Sequence, residues 1–229
     1  SESDVRLWDV HAGGCLATLP GAGALSSLCT SPDGRYAFGG DGSRVRQWRL
    51  PVATEAGSLQ WRFTEVTSMC VSRSGRWLAV ADGPGEVRIF DLAEGRYRGS
   101  IPGEGHTLLG AAPDGAGVLT ARRDGLLEWW DASRLARVRP LRGHLGEVYS
   151  VDACTRWVVS LGGDRTLRVW EAETGRCVRT FPAIGASTGE SVRVDPDGSR
   201  ALRVERGGRV CEFDFRGIAE VSVPFAPTR

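Results

Sequence analysis

Apolar and polar residues alternate in "TLRVW", Thr166–Trp170, and again in "CVRTF", Cys177–Phe181, with Glu173-Thr174-Gly175 between them. Alternation with a period of two, broken by turn residues, predicts a β-hairpin. The same phase recurs as "VRLWDV" around Trp8, "VRQWRL" around Trp48, "VRIFDL" around Phe90, "LEWWDA" around Trp130 and "VCEFDF" around Phe213. Successive aromatic markers at 8, 48, 90, 130, 170 and 213 stand 40, 42, 40, 40 and 43 residues apart. Three residues before each stands an aliphatic: Val5, Val45, Val87, Leu127, Leu167 and Val210. In a strand these two positions point to opposite faces, so both faces require an apolar covering. The arginines that intervene at 6, 46, 88 and 168 are expected to lay their stems along the aromatic face and reach water with their guanidinium groups.

Upstream of each aromatic from the second unit to the fourth, and again in the sixth, a turn ends in glycine: "SPDG" at Gly34, "RSG" at Gly75, "APDG" at Gly115 and "DPDG" at Gly198. Glycine accepts the positive φ of such turns, and proline presets the first turn position. Short apolar runs flank each turn, as "LSSLCT" and "RYAFGG" do, so each unit is a meander of four strands. In the second unit these are predicted over 24–31, 35–40, 43–49 and 58–63, and the fold class is all-β.

Four-stranded units of this period ending near Trp-Asp resemble the WD-repeat β-propeller family, over almost the whole chain. The resemblance implies an all-β propeller of four-stranded antiparallel blades. The chain opens with only the third and fourth strands of a unit, so five full blades and a half blade are expected. Residues 1–229 are read as a single β-propeller domain lacking upstream blades, its total being seven. The resemblance also implies a buried tetrad in the fifth unit, formed by His144, Ser160, Asp164 and Trp170. Thr120, Asp124 and Trp130 offer part of it in the fourth unit, with His106 ambiguous, and Asp41 stands one place early in the second. The third and sixth units have Pro84 and Gly207 where the aspartate is expected, and are predicted to be plainer hydrophobic sandwiches.

Composition narrows the chemistry. All 29 basic residues are arginine, which removes every mechanism that needs a lysine amine. Against 28 acidic residues they leave a net charge of +1, which gives no footprint for nucleic acid or an anionic membrane surface. The six cysteines, at 15, 29, 70, 154, 177 and 211, contain no Cys-x-x-Cys and read as small buried hydrophobes in a reducing, cytoplasmic setting. The three histidines, at 11, 106 and 144, are scattered, and no His-Glu-x-x-His occurs, so no metal or other cofactor is expected. The one Ser/His/Asp set, His144, Ser160 and Asp164, is already accounted for by the tetrad that the resemblance implies.

A non-catalytic scaffold for protein–protein interaction, belonging to a larger multidomain or signalling protein, is therefore expected; this role comes from the resemblance, since fold does not dictate function. The alternatives are a ligand-sensing or enzymatic propeller with a central-channel site, or a structural array of blades. By the family's pattern, a protein or peptide partner would meet Glu147, Tyr149 and Gly163 in the fifth unit, Glu65 and Thr67 in the third, Ser26 in the second and Arg123 in the fourth. The missing blades in cis, or self-association, would cover the end faces.

Overall fold

The structure is a computed structural model that describes residues 5–9, 11–19, 25–51, 54–58, 61–83, 85–101, 105–183, 190–205, 209–215 and 222–224. Of these, 106–109 and 222–224 are described by their backbone alone. Pro84 and Gly207 lie outside the described residues.

Among the described residues every regular element is a strand. Sheet 1 holds β1 (Val5–Trp8) and β2 (Cys15–Leu19). Sheet 2 is β3 (Ser27–Thr30), β4 (Tyr36–Gly40), β5 (Val45–Arg49) and β6 (Thr54–Ser58); sheet 3 is β7 (Val66–Val71), β8 (Trp77–Asp82), β9 (Val87–Asp91) and β10 (Arg96–Ile101). Sheet 4 follows as β11 (His106–Ala111), β12 (Val118–Arg122), β13 (Leu127–Asp131) and β14 (Ala136–Leu141), and sheet 5 as β15 (Val148–Ala153), β16 (Trp157–Gly162), β17 (Thr166–Glu171) and β18 (Cys177–Pro182). Sheet 6 closes the series with β19 (Ser191–Val194), β20 (Arg200–Val204), β21 (Val210–Asp214) and β22 (Ser222–Pro224). Within each four-stranded sheet the order follows the chain and every pairing is antiparallel, so each is a meander. First strands neighbour one another in sequence, β3 beside β7, β7 beside β11, β11 beside β15 and β15 beside β19. Among the described residues no strand pairing joins the first sheet to the last, so the array is open.

The core lies between the sheets. One apolar cluster fills each of the five interfaces: Trp48 with Leu19, Phe38 with Val66 and Phe90, Ile89 with Val118 and Trp130, Val151 with Leu119 and Trp170, and Leu161 with Val192. The repeated alternation is the cause. Val45, Val87, Leu127 and Leu167 are fully buried on one face, and Trp48 and Trp170 are fully buried on the other. Where a described neighbour is lacking the same pattern exposes apolar groups: Trp8 on sheet 1, and Leu202 and Val204 on sheet 6.

Two sets of β-bulges break the ladders at repeated places. The fourth strand slips beside the aromatic in sheets 1 to 5, as between Val169 and Trp170, which kinks the outer edge and disfavours edge-to-edge pairing. The first strand slips in sheets 3, 4 and 5, leaving Thr67, Thr107 and Tyr149 out of register.

Three expectations are corrected. The fourth strand of sheet 2 is 54–58 rather than 58–63. Its residues, Thr-Glu-Ala-Gly-Ser, are all exposed, so an outer strand forms there through backbone pairing to β5 with no apolar alternation to announce it. The apolar stretch after it serves as core instead. Phe63 is buried against Phe90 at 6.1 Å, and Trp61 stacks on Tyr97 with centroids 4.5 Å apart. Of the cysteines, Cys70 and Cys154 are buried, but Cys15 and Cys177 are exposed because they lie on outer strands. The arginines before the aromatic are paired rather than free: Arg46 with Asp41 at 2.7 Å, Arg88 with Asp82, and Arg168 with Asp164 at 3.5 Å.

Phe63→Ala is expected to destabilise the chain by about 3–5 kcal/mol through loss of a buried ring. Thr54→Ala, on the exposed strand, should stay within about 0.5 kcal/mol. Urea denaturation of both variants tests the reassignment of this segment.

Candidate interaction rim

The loop ahead of β15 is tied to the β16–β17 turn by four side chains. Trp170 Nε1 donates to Ser160 Oγ at 2.8 Å, Ser160 Oγ lies 2.7 Å from His144 Nε2, and His144 Nδ1 lies 3.0 Å from both Asp164 oxygens. Donor counting sets the direction. Ser160 Oγ accepts from the indole and has one proton to give, so Nε2 accepts it and Nδ1 carries the imidazole proton toward Asp164. Burial is the largest influence on His144 and lowers its pKa, outweighing the opposing pull of Asp164, so the ring stays neutral. Burial alone would raise the pKa of Asp164. The Thr166 hydroxyl, the Leu145 amide and His144 overcome that and hold it at about 2.

Sheets 3 and 6 make a comparable tie with different chemistry, and sheet 4 keeps part of the set. In sheet 4, Trp130 Nε1 donates to Thr120 Oγ1 at 3.1 Å, while Asp124 accepts from the Leu126 amide and pairs with Arg122 at 3.3 Å. His106 opens β11, its side chain outside the described residues. Sheet 3 is no plain sandwich: buried Asp82 accepts from the amides of Thr64 at 2.7 Å, Glu65 at 2.8 Å and Gly83 at 2.9 Å, and pairs with Arg88. Nor is sheet 6, where Arg203, ten residues before Phe213 as Ser160 is before Trp170, pairs with buried Glu190 at 2.9 Å. Neither pair sits at the position that the repeat pattern marks for aspartate, which is why the spacing alone did not reveal them.

At this end of the strands the residues singled out from the sequence fall on successive sheets. The Gly163 amide donates to the Glu147 carbonyl at 2.8 Å, and a Cβ on Gly163 would stand 2.8 Å from Tyr149 Oη, so these three form one surface. Glu147 is exposed, and Tyr149 is half-buried at the bulge of β15, which turns it out of the ladder. Glu65 and Thr67 hold the matching places on sheet 3, both exposed, with Thr67 Oγ1 donating to the Ala81 carbonyl at 3.2 Å. Exposed Arg123 is anchored by its amide to the Gly105 carbonyl at 3.3 Å. The Ser26 hydroxyl donates across the interface to the Val66 carbonyl, so it ties sheet 2 to sheet 3. Leu145, 81% exposed on the tetrad loop, was missed by the sequence reading because nothing in the repeat pattern distinguishes a presented leucine from a core one.

The WD domain, G-beta repeat family matches residues 13–49, 57–91 and 135–171. The chain carries WD repeats. Each match begins before or at the fourth strand of one sheet and ends just past the aromatic of the next, so a sequence repeat spans two neighbouring WD blades. The chain is 33% identical over 147 residues to the uncharacterized WD repeat-containing protein sll1491 of Synechocystis sp., covering 60% of this chain and 40% of the relative. It is 25% identical over 189 residues to nuclear distribution protein PAC1 of Arthroderma otae, covering 79% and 36%, and 33% identical over 89 residues to eukaryotic translation initiation factor 3 subunit I of Scheffersomyces stipitis, covering 38% and 25%. The matching stretches thus span only 25% to 40% of these relatives' lengths.

The titration of the tetrad gives a signed prediction. With its folded pKa below the ordinary value near 6.5, His144 takes up a proton more readily in the unfolded chain, so its contribution to stability falls as pH drops below about 6.5. Asp164, held at about 2, adds stability that is complete above the ordinary carboxylate range and is lost as pH falls from roughly 5 toward 2. Urea midpoints at a series of pH values should therefore decline on acidification, and Asp164→Asn should flatten the decline below about pH 5. An equally steep acid limb in the variant would contradict the assignment.

Proposed function

We propose that residues 1–229 act as one β-propeller domain of a larger protein, a non-catalytic cytoplasmic scaffold that binds a protein or peptide partner at the rim bearing Glu147 and Tyr149. The observation that carries this reading is the presentation of Tyr149: a bulge turns it outward, beside Gly163, on a loop and turn fixed by the buried network. A tyrosine held in this way offers a large contact area with a polar tip and little conformational entropy to lose. Glu147 and Glu65 add negative charge, which suits a basic or amphipathic segment whose arginine pairs with a carboxylate and stacks on the phenol. Thr67 and Arg123 extend the surface onto neighbouring blades, and Ser26 holds two of those blades together.

The Ser/His/Asp grouping supports a stabilising role and not hydrolysis. Ser160 is 0% exposed and its hydroxyl is spent between Trp170 and His144, so no substrate carbonyl has a path to it. The relatives' names fit a role in assemblies, one of them being a subunit of an initiation factor.

The test is the double variant Glu147→Arg with Tyr149→Ala, assayed by partner pulldown beside a melting curve. Loss of captured partner with an unchanged melt is the expected result. Unchanged capture would place the partner surface elsewhere.

A further inference from the structure

At the opposite ends of the strands, the turn between the third and fourth strands of sheets 4 and 5 meets the fourth strand of the sheet before it. The residue five past the aromatic, Leu135 or Gly175, meets the residue paired opposite the one before the preceding aromatic, Gly99 or Arg139, and Gly95 and Gly57 hold these two places in sheets 3 and 2. Between sheets 3 and 4 the space is filled from the turn, where Leu135, at φ 53°, brings its Cδ1 too close to leave room for a Cβ on Gly99. Between sheets 4 and 5 it is filled from the strand. The Arg139 chain passes 3.1 Å from where a Cβ on Gly175 would be, and its guanidinium lies 5.2 Å from the Trp129 ring centroid and donates to the carbonyls of Ala172, at 3.1 Å, and Glu173.

Between sheets 2 and 3 both positions are glycine, and a Cβ on Gly57 or Gly95 would meet nothing within 4 Å. A groove of about 520 Å³ remains, walled by Tyr36, Phe38, Phe90 and Leu92 and bordered by Asp33 and Gln47. Leu92 and Ala93, which also line it, correspond in the repeat to Ala172 and Glu173, whose carbonyls hold the Arg139 guanidinium. Both oxygens of Asp91 are engaged, by the amides of Ala93 and Glu94 and by Arg76. Asp33 is more open: its Oδ1 accepts from the Ser31 hydroxyl and the Arg35 amide, but its Oδ2 is 3.7 Å from the Arg35 guanidinium, and both side chains are more than half exposed.

We propose that this groove receives an arginine side chain from an extended segment of a partner protein, at the place that Arg139 occupies in the interface between sheets 4 and 5. The aromatic wall takes the aliphatic stem, the turn carbonyls take guanidinium donors, and Asp33 supplies the charge. A planar fork with five donors suits two adjacent carbonyls better than an ammonium does. This site is separate from the Tyr149 rim and does not depend on it.

The probe is a fluorescein-labelled pentapeptide with one arginine between valines, compared with the same peptide carrying citrulline, which keeps the shape and removes the charge. Fluorescence polarisation should show saturable binding of the arginine peptide, about tenfold weaker for citrulline. Gly95→Leu copies the arrangement of Leu135 over Gly99 and should abolish binding while the melt holds or rises. Asp33→Asn, an exposed substitution that retains its acceptor oxygen, should weaken binding about threefold or more without disturbing the fold. Absence of binding at millimolar peptide, equal affinity for citrulline, or undiminished binding to both folded variants would overturn the proposal.

Discussion

A four-stranded sheet that is apolar on both faces is stable only between two neighbours, and every other feature of this chain follows from that requirement. Val87 faces one way and Phe90 the other on the same strand, and both are buried because sheets 2 and 4 cover them. No blade owns its core: the five apolar clusters each draw on two adjacent sheets. In such arrays stability is a sum of weak units and strong interfaces. Breaking one interface therefore weakens both of its partners.

Packing between faces leaves the strand ends to be fixed by polar groups. Here the blades diverge. Sheet 5 uses His144, Ser160, Asp164 and Trp170, sheet 3 a buried carboxylate receiving three amides, and sheet 6 an Arg–Glu pair. Each arrangement pairs its buried charges, because one left unpaired costs several kcal/mol, on the order of 3–5. The result is a set of loops held in place at one end of the array, which is what a surface needs if binding is not to cost its own ordering. At the other end Leu135 fills the interface between sheets 3 and 4 and Arg139 the one between sheets 4 and 5, while a groove is left between sheets 2 and 3.

Much of this is legible in the sequence because the aromatic phase and the turn glycines each serve one physical need in every copy. Trp48, Phe90, Trp130 and Trp170 share one place in their sheets, and Gly34, Gly75, Gly115 and Gly198 all have φ between 69° and 80°. The exposed strand β6 was not legible, since it is held by backbone pairing and an Arg46–Glu55 ion pair and carries no alternation. Asp82 and the Glu190–Arg203 pair were hidden for another reason. The loop needs an acceptor or a charge partner, but several positions can supply it, so one motif position does not predict it. The bulge that turns Tyr149 outward is likewise a property of pairing between strands, not of the strand's own residues.

The claim that the core belongs to interfaces rather than blades is tested most directly by native-state hydrogen exchange on the wild-type chain and on Ile89→Ala. Ile89 lies on sheet 3 and packs with Val118 and Trp130 of sheet 4. Loss of its side chain should cost about 2–5 kcal/mol. The account predicts that amides of β12 and β13 lose protection together with those of β8 and β9. Loss of protection confined to sheet 3 would contradict it.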